Sequence, residues 1–176
     1  KEVVSLDISG KNTKLIKRGN SNCRFGYRSS VFKENDGKEI ILSAVLKLEK
    51  GHKKQIRDAI EEKIKYRQER HPMEYPNIGS IFKNVDARKI PKAQLEKFKA
   101  VIKTDPFPVV PTAYLLSESG LKGVTHGGAM ISPKHPNFIV NVLNASADDV
   151  KHLVALAKKT VLKKFGIKLE EEVIYV

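Results

Sequence analysis

The chain has 176 residues, 40% of them apolar and 30% charged, and a formal net charge of +13. That length suits one substantial domain or two small ones, and the balance excludes a disordered or fibrous chain. No apolar run approaches the ~20 residues that cross a bilayer, and the single cysteine, Cys23, excludes an internal disulfide and a cysteine-rich metal site.

Residues 3–8 (VVSLDI) alternate in part and read as a strand. Gly10-Lys11-Asn12 turns the chain, and residues 13–18 (TKLIKR) return as the hairpin partner. After the Asp36-Gly37 turn, residues 39–48 form a long apolar strand. The period then changes: residues 52–69 predict a helix with Ile56, Ala59, Ile60 and Ile64 on one face. A second helical stretch spans 91–103, with Pro91 at its start and Leu95, Phe98, Val101 and Ile102 on one side. Residues 105–111 (DPFPVVP) form a stiff connector, and Pro111 opens a short helix ending at Gly120. Residues 137–143 (NFIVNVL) predict a strand. Ser146 to Asp149 (SADD) matches a capping box for a long helix with Val150, Leu153, Val154, Ala157, Val161 and Leu162 on its apolar face, and Gly166 stops it. Residues 168–176 predict a final strand. Strands followed by a mixed segment predict an α+β fold.

The positive charge invites a polyanion: nucleic acid, a membrane surface or a phosphate-bearing small molecule. The lysines are spread along the whole chain, however, and their densest groups (Lys53-Lys54, Lys158-Lys159, Lys163-Lys164) fall on predicted helices, where they make solvated faces. Seven phenylalanines, five tyrosines and no tryptophan include no aromatic-glycine pattern of an RNA-binding sheet. A basic nucleic-acid-binding module is the alternative from another class; it predicts binding that falls steeply with salt and ignores nucleotide sugars.

Three stretches carry unusual chemistry. Residues 23–33 (CRFGYRSSVFK) set Arg24 and Arg28 around an aromatic-glycine step. Residues 74–85 (EYPNIGSIFKNV) put Ser80 directly after a Pro-Asn-Ile-Gly turn. Residues 120–141 are rich in glycine and hold Lys122, Lys134, His126 and His135. Ser80 either opens a short strand, Ile81-Phe82, or is presented to a ligand with Lys83 and Asn84 nearby. His126 and His135 lack the spacing and carboxylate company of a zinc site, so no metal is expected. Neither a P-loop nor a G-x-G-x-x-G fingerprint is present.

Four blocks in order, FGYRSSVFK, YPNIGSIFKN, SGLKGVTHGGAMISPKHPNFIVN and FGIKLEEEV, resemble the UDP-N-acetylenolpyruvoylglucosamine reductase (UDP-N-acetylmuramate dehydrogenase) family of bacterial cell-wall synthesis. The resemblance covers nearly the whole chain. It implies a cytoplasmic, monomeric flavoenzyme in which NADPH reduces FAD and the flavin passes hydride to UDP-N-acetylglucosamine enolpyruvate, giving UDP-N-acetylmuramate; nucleic acid and membrane are not implied partners. It further implies that Ser80 is the proton donor, that Arg28 addresses the substrate carboxylate, and that Glu172 shares with Arg28 the stabilisation of the enolic intermediate. Asn84, Lys122 and His135 match polar positions that face the substrate.

Strand alternation alone sets Glu171, not Glu172, on the more apolar face with Leu169, Val173 and Tyr175. The family carries a proline where Glu171 stands, and residues 86–111 are longer and richer in lysine than its common pattern. The resemblance divides the chain into residues 1–65, the end of an FAD-binding domain; 66–168, a substrate-binding domain; and 169–176, a returning strand. Nothing in residues 1–22 resembles the family's FAD-binding loops. The chain begins Lys1-Glu2 and is expected to be the back half of the enzyme, retaining FAD weakly and turning over nothing alone; a non-catalytic UDP-sugar-binding fragment is the remaining alternative.

Overall fold

The first hairpin of the computed structural model, which describes residues 2–105 and 107–175, forms where alternation predicts it. β1 (Glu2–Asp7) pairs antiparallel with β2 (Lys14–Gly19), setting Glu2 opposite Gly19 and Asp7 opposite Lys14. A tight helical turn at Ser21–Cys23 and the one-turn helix α1 (Val31–Glu34) follow. β3 (Glu39–Val45) then joins the other side of β1, so the sheet runs β2-β1-β3. The predicted third strand is therefore three residues shorter than its apolar run. One face is covered by Val3, Ser5, Val31 and a fully buried Cys23.

On this sheet Glu39 accepts two bonds from the Arg18 guanidinium, at 2.6 and 2.8 Å, one from Ser5 Oγ at 2.8 Å and one from Asn35 Nδ2 at 2.9 Å. The Arg18 bonds, more than the burial that opposes them, hold the Glu39 carboxyl below its ordinary range. The folded form thus binds this proton less tightly than the unfolded chain does. The stabilisation is complete above the ordinary glutamate pKa of about 4.3 and is lost as pH falls through the lower folded value. Thermal melts between neutral pH and acid should show this loss in the wild type, with a flatter acid limb in Glu39→Gln. Parallel acid limbs in the two proteins would refute the assignment.

α2 (Lys53–Arg70) forms over the predicted stretch, but no residue of it is buried, and Ile56, Ile60 and Ile64 are all about half exposed. The apolar stripe exists; the expected cover is absent among the described residues. By internal packing the chain divides into Lys1–Ile56 and Arg57–Val176, the division falling inside this helix.

The second unit continues with β4 (Asn77–Ser80), β5 (Val85–Asp86), α3 (Lys92–Leu95), β6 (Val109–Val110), α4 (Thr112–Glu118), β7 (Thr125–His126), β8 (Ala129–Ile131), β9 (Phe138–Asn141) and α5 (Ala147–Phe165). Its main sheet runs β4-β9-β8-β7, and β5 pairs with β6. The helix predicted over 91–103 is α3 followed by a tighter helical stretch, Glu96–Val101; Phe98 is buried, and Leu95, Val101 and Ile102 pack against the core. Ser146 and Asp149 form the predicted capping box of α5, and Gly166 ends it at φ 67°. Leu153, Val154, Ala157 and Val161 of α5 bury against Ile81, Phe82, Leu115, Leu116, Ile131 and Ile139. Leu162, predicted on that face, is exposed. The result is a mixed α+β chain with antiparallel sheets.

The final strand does not form as predicted. Residues 168–175 form no regular strand and pair at one place, Phe82 opposite Glu171, and Val176 lies outside the described residues. Among the described residues no helix is long and apolar enough to cross a membrane.

Candidate functional site

The turn before Ser80 is held by Asn77. Its Oδ1 accepts the Gly79 N–H at 3.0 Å, while its Nδ2 donates to the carbonyls of Pro72 at 3.1 Å and Tyr75 at 2.9 Å. Gly79 sits at φ 87°, in the region that side-chain-bearing residues avoid, and it breaks the regular pairing of β4 with β9. Ser80 consequently ends a strand instead of opening one, and pairs with Phe138. Direct partners across antiparallel strands send their side chains to the same face. That face carries the Phe138 ring, with His135 edge-on at 4.8 Å, His71 tilted at 5.0 Å, and the two imidazoles 5.3 Å apart. Burial, foremost, pushes the pKa of both His71 and His135 below the ordinary imidazole value, aided by neighbouring positive groups.

After Ser80 the chain dives into the core through Ile81 and Phe82, both buried. Two elements grip it there. The carboxy-terminal segment pairs with it: Glu172 N–H donates to the Ile81 carbonyl at 2.8 Å, and Lys83 N–H to the Glu170 carbonyl at 2.9 Å. This antiparallel arrangement leaves the N–H and C=O of Phe82 pointing away from Glu171. Both are taken by Asn137, whose Oδ1 accepts the Phe82 N–H at 3.1 Å and whose Nδ2 donates to the Phe82 carbonyl at 2.8 Å. Asn137 is only 4% exposed, so one side chain replaces a missing strand neighbour.

Ser80 and Glu172 are therefore brought to adjacent chain segments, one residue out of step. Glu171, favoured by alternation alone, has other partners: Lys158 Nζ at 2.7 Å and the Tyr175 hydroxyl at 2.8 Å. These bonds, Lys158 foremost, hold its carboxyl below the ordinary range, while burial and then Glu171 push the Tyr175 hydroxyl up to about 12. The three residues, with Lys151, Val154 and Ala155, line an open groove of about 370 Å³ along α5.

Asn84 helps start α4: its Oδ1 accepts the Thr112 N–H at 3.2 Å, and the Thr112 hydroxyl donates to the Lys83 carbonyl at 2.6 Å. Lys122 is exposed on the turn after α4, whose shape Gly123 fixes at φ 75°. His135 lies half-buried in the aromatic cluster described above. His126 stacks on His152 with ring centroids 3.7 Å apart, and among the described residues no group of three or more His, Cys, Asp and Glu could hold a metal.

Arg28 belongs to the first unit. It sits at the tip of a tight loop closed by reciprocal Gly26–Ser29 backbone bonds of 3.0 and 3.2 Å, at φ 54°, with its guanidinium 5.8 Å from the Tyr27 ring centre. A non-glycine residue held at positive φ is a form of local strain that clusters at functional sites.

Sequence reasoning missed His71, Asn137 and Thr112. The signal for the last two was a polar side chain flanked by apolar residues at the start of a strand and of a helix, which is where orphaned backbone groups need partners. His71 gave none, because its nearest ring partners, Phe138 and His135, come from β9 and the loop before it.

Known proteins with this pattern are informative. A family described as the carboxy-terminal domain of UDP-N-acetylenolpyruvoylglucosamine reductase matches residues 71–176. The chain is 37% identical over 172 residues to a protein of that name from Fervidobacterium nodosum, covering 98% of this chain and 47% of that one. It is 33% identical over 177 residues to the one from Fusobacterium nucleatum, covering 99% and 53%. Among solved structures, UDP-N-acetylenolpyruvylglucosamine reductase from Thermus caldophilus superposes with a TM-score of 0.67 at 26% identity, over 98% of this chain and 51% of that one. The chain spans about half the length of the curated relatives it matches. With the carboxy-terminal domain matched over most of the second unit, the chain belongs to the UDP-N-acetylenolpyruvoylglucosamine reductase family.

Proposed function

We propose that this chain is the substrate-handling half of a reductase that converts UDP-N-acetylglucosamine enolpyruvate to UDP-N-acetylmuramate for peptidoglycan synthesis. The observation that supports this reading is the pairing of Glu172 with Ile81, which sets Glu172 and Ser80, the two residues proposed to act in the second unit, on neighbouring backbone segments.

A bound FAD, reduced by NADPH, supplies the hydride in this chemistry. The first unit presents an open three-stranded sheet with exposed Ile40, Ile41 and Leu42, which does not by itself enclose a dinucleotide. The flavin cradle therefore requires the half of the relatives that this chain does not match.

This chain's own residues deal with the substrate. Once the vinyl carbon has been reduced, negative charge develops on the carbon beside the carboxylate. Arg28 has the planar, permanently charged fork suited to binding a carboxylate. Glu172 shares the stabilisation of the enolic group. Ser80 Oγ delivers the proton to the charged carbon, which is basic enough to accept it from a hydroxyl. Lys122 neutralises the diphosphate, and Asn84 and His135 supply polar contacts to the sugar nucleotide. The net charge of +13 suits a chain whose ligands are all phosphate-bearing anions.

Calorimetric titration with UDP-N-acetylglucosamine enolpyruvate tests the reading. Saturable binding is expected, weakened about 10-fold or more in Lys122→Ala, as befits loss of a charge-assisted contact, and nearly unchanged in Ser80→Ala. A folded chain, alone or joined to the half of a relative that it does not match, that does not bind this ligand would remove the proposal.

A further inference from the structure

Glu170, Glu171 and Glu172 follow one another, yet the fold gives Glu170 and Glu171 different surroundings. Glu170 reaches Lys83 at 3.3 Å and Lys89 at 3.8 Å, and with its side chain 61% exposed both contacts are screened by water. The Glu171 side chain is 22% exposed, and its two oxygens are taken separately: Oε1 by Lys158 Nζ at 2.7 Å and Oε2 by the Tyr175 hydroxyl at 2.8 Å. Lys158 stands on α5, which is capped at both ends and packed into the core through Leu153, Val154, Ala157 and Val161. Lys151, two turns earlier on the same helix, sets its ammonium 5.8 Å from the Tyr175 ring centre. The Glu171 carboxylate thus ties residues 171 and 175 to each other and to a helix fixed in the core.

Among the described residues the backbone of this segment is paired at one place only, with the bonds of Glu172 to Ile81 and of Lys83 to Glu170 on either side. Leu169 and Val173 pack against the core nearby, but apolar contact is non-directional and sets no angle. Successive residues of an extended segment project to opposite sides, so α5 grips the backbone from the side away from the Glu172 carboxylate.

We propose that Glu171 is a positioning residue: through Lys158 and Tyr175 it fixes the backbone of residues 170–172, and with it the place of the Glu172 carboxylate in the reductase reaction. The inference rests on the reductase reading above. A group that stabilises developing charge works only if it is held in place before that charge appears. A small displacement of such a group therefore lowers the rate and hardly touches ground-state binding. Glu171 and Lys158 are both partly exposed, so substitutions there break the charge-assisted bond without emptying the core.

The test uses a reductase of the relatives' full length that contains this chain. Glu171→Gln and Lys158→Met should each lower kcat by about 10-fold, with KM for the enolpyruvyl substrate and the thermal midpoint hardly moved. The double variant should be no slower than either single one, since both remove the same bond, and Lys158→Arg should keep most of the turnover. Lys159→Met, one position along α5, removes a charge without touching Glu171 and should change nothing. Amide exchange at Glu172, whose N–H is bonded to the Ile81 carbonyl, reads the positioning without reference to activity; it should quicken by about 10-fold in both single variants. Exchange at the wild-type rate, or an unchanged kcat, overturns the inference. A rise in KM with a fall in the thermal midpoint would mean general loosening and overturns it too. The reductase reading fails separately, in wild-type protein whose reduced flavin is not reoxidised by the substrate.

Discussion

Replacing Ser80 with alanine is expected to lower turnover of a reductase of the relatives' full length that contains this chain by about 10²–10⁴-fold, the usual worth of a positioned proton donor. Substrate affinity should hardly change if, as proposed, the hydroxyl acts only on charge that develops in the reaction. The local structure holds Ser80 in place: Gly79 turns the chain sharply, Asn77 pins the turn, and buried Ile81 and Phe82 anchor the far side, so Ser80 is fixed at a strand end. Rapid-mixing measurements separate the steps. NADPH should reduce the flavin of Ser80→Ala at the wild-type rate, and reoxidation by the enolpyruvyl substrate should become limiting. A loss of turnover below about threefold would assign proton delivery to another group.

The second large effect is on stability. Asn137→Ala should destabilise the second unit by about 2–5 kcal/mol, since it strips the partners from a buried N–H and a buried C=O, each worth about 1–3 kcal/mol when left unpaired. The pairing with Glu170 and Glu172 cannot relieve the loss, because in that arrangement both polar groups of Phe82 point to the Asn137 side. Urea unfolding should show a lower midpoint with an unchanged slope. Asn137→Asp keeps the acceptor and loses the donor, so it should also be destabilised, with a carboxylate now buried. A change under about 1 kcal/mol in Asn137→Ala would mean that water replaces the side chain at no cost. Because Phe82 lies two residues from Ser80, substrate binding should weaken in parallel with stability.

The amino-acid order alone determined the elements whose signals are local. The β1–β2 hairpin, the capping box of α5 and the Gly166 stop depend on residues within a few positions of one another, and each stands where it is expected. The periodic face of α5 is buried apart from Leu162, because a stripe repeated over nineteen residues meets the core at several points. The α+β class follows from the same local patterns.

Tertiary structure decided what depends on distant partners. The stripe of α2 stayed exposed because amphipathicity states a capacity for burial without supplying a cover. The last predicted strand became a single pairing with Phe82, since a ladder needs a partner along its whole length and, among the described residues, the chain offers this segment only Ile81 to Lys83. Glu171 and Glu172 differ by one position and are indistinguishable by composition; only the fold gives one to Lys158 and pairs the other with the segment leaving Ser80. Ser80, Asn137 and Glu172 lie far apart along the chain, and sequence periodicity carries no information about such separations. Backbone hydrogen bonding brings them together because a buried polar group must find a partner wherever the chain can supply one.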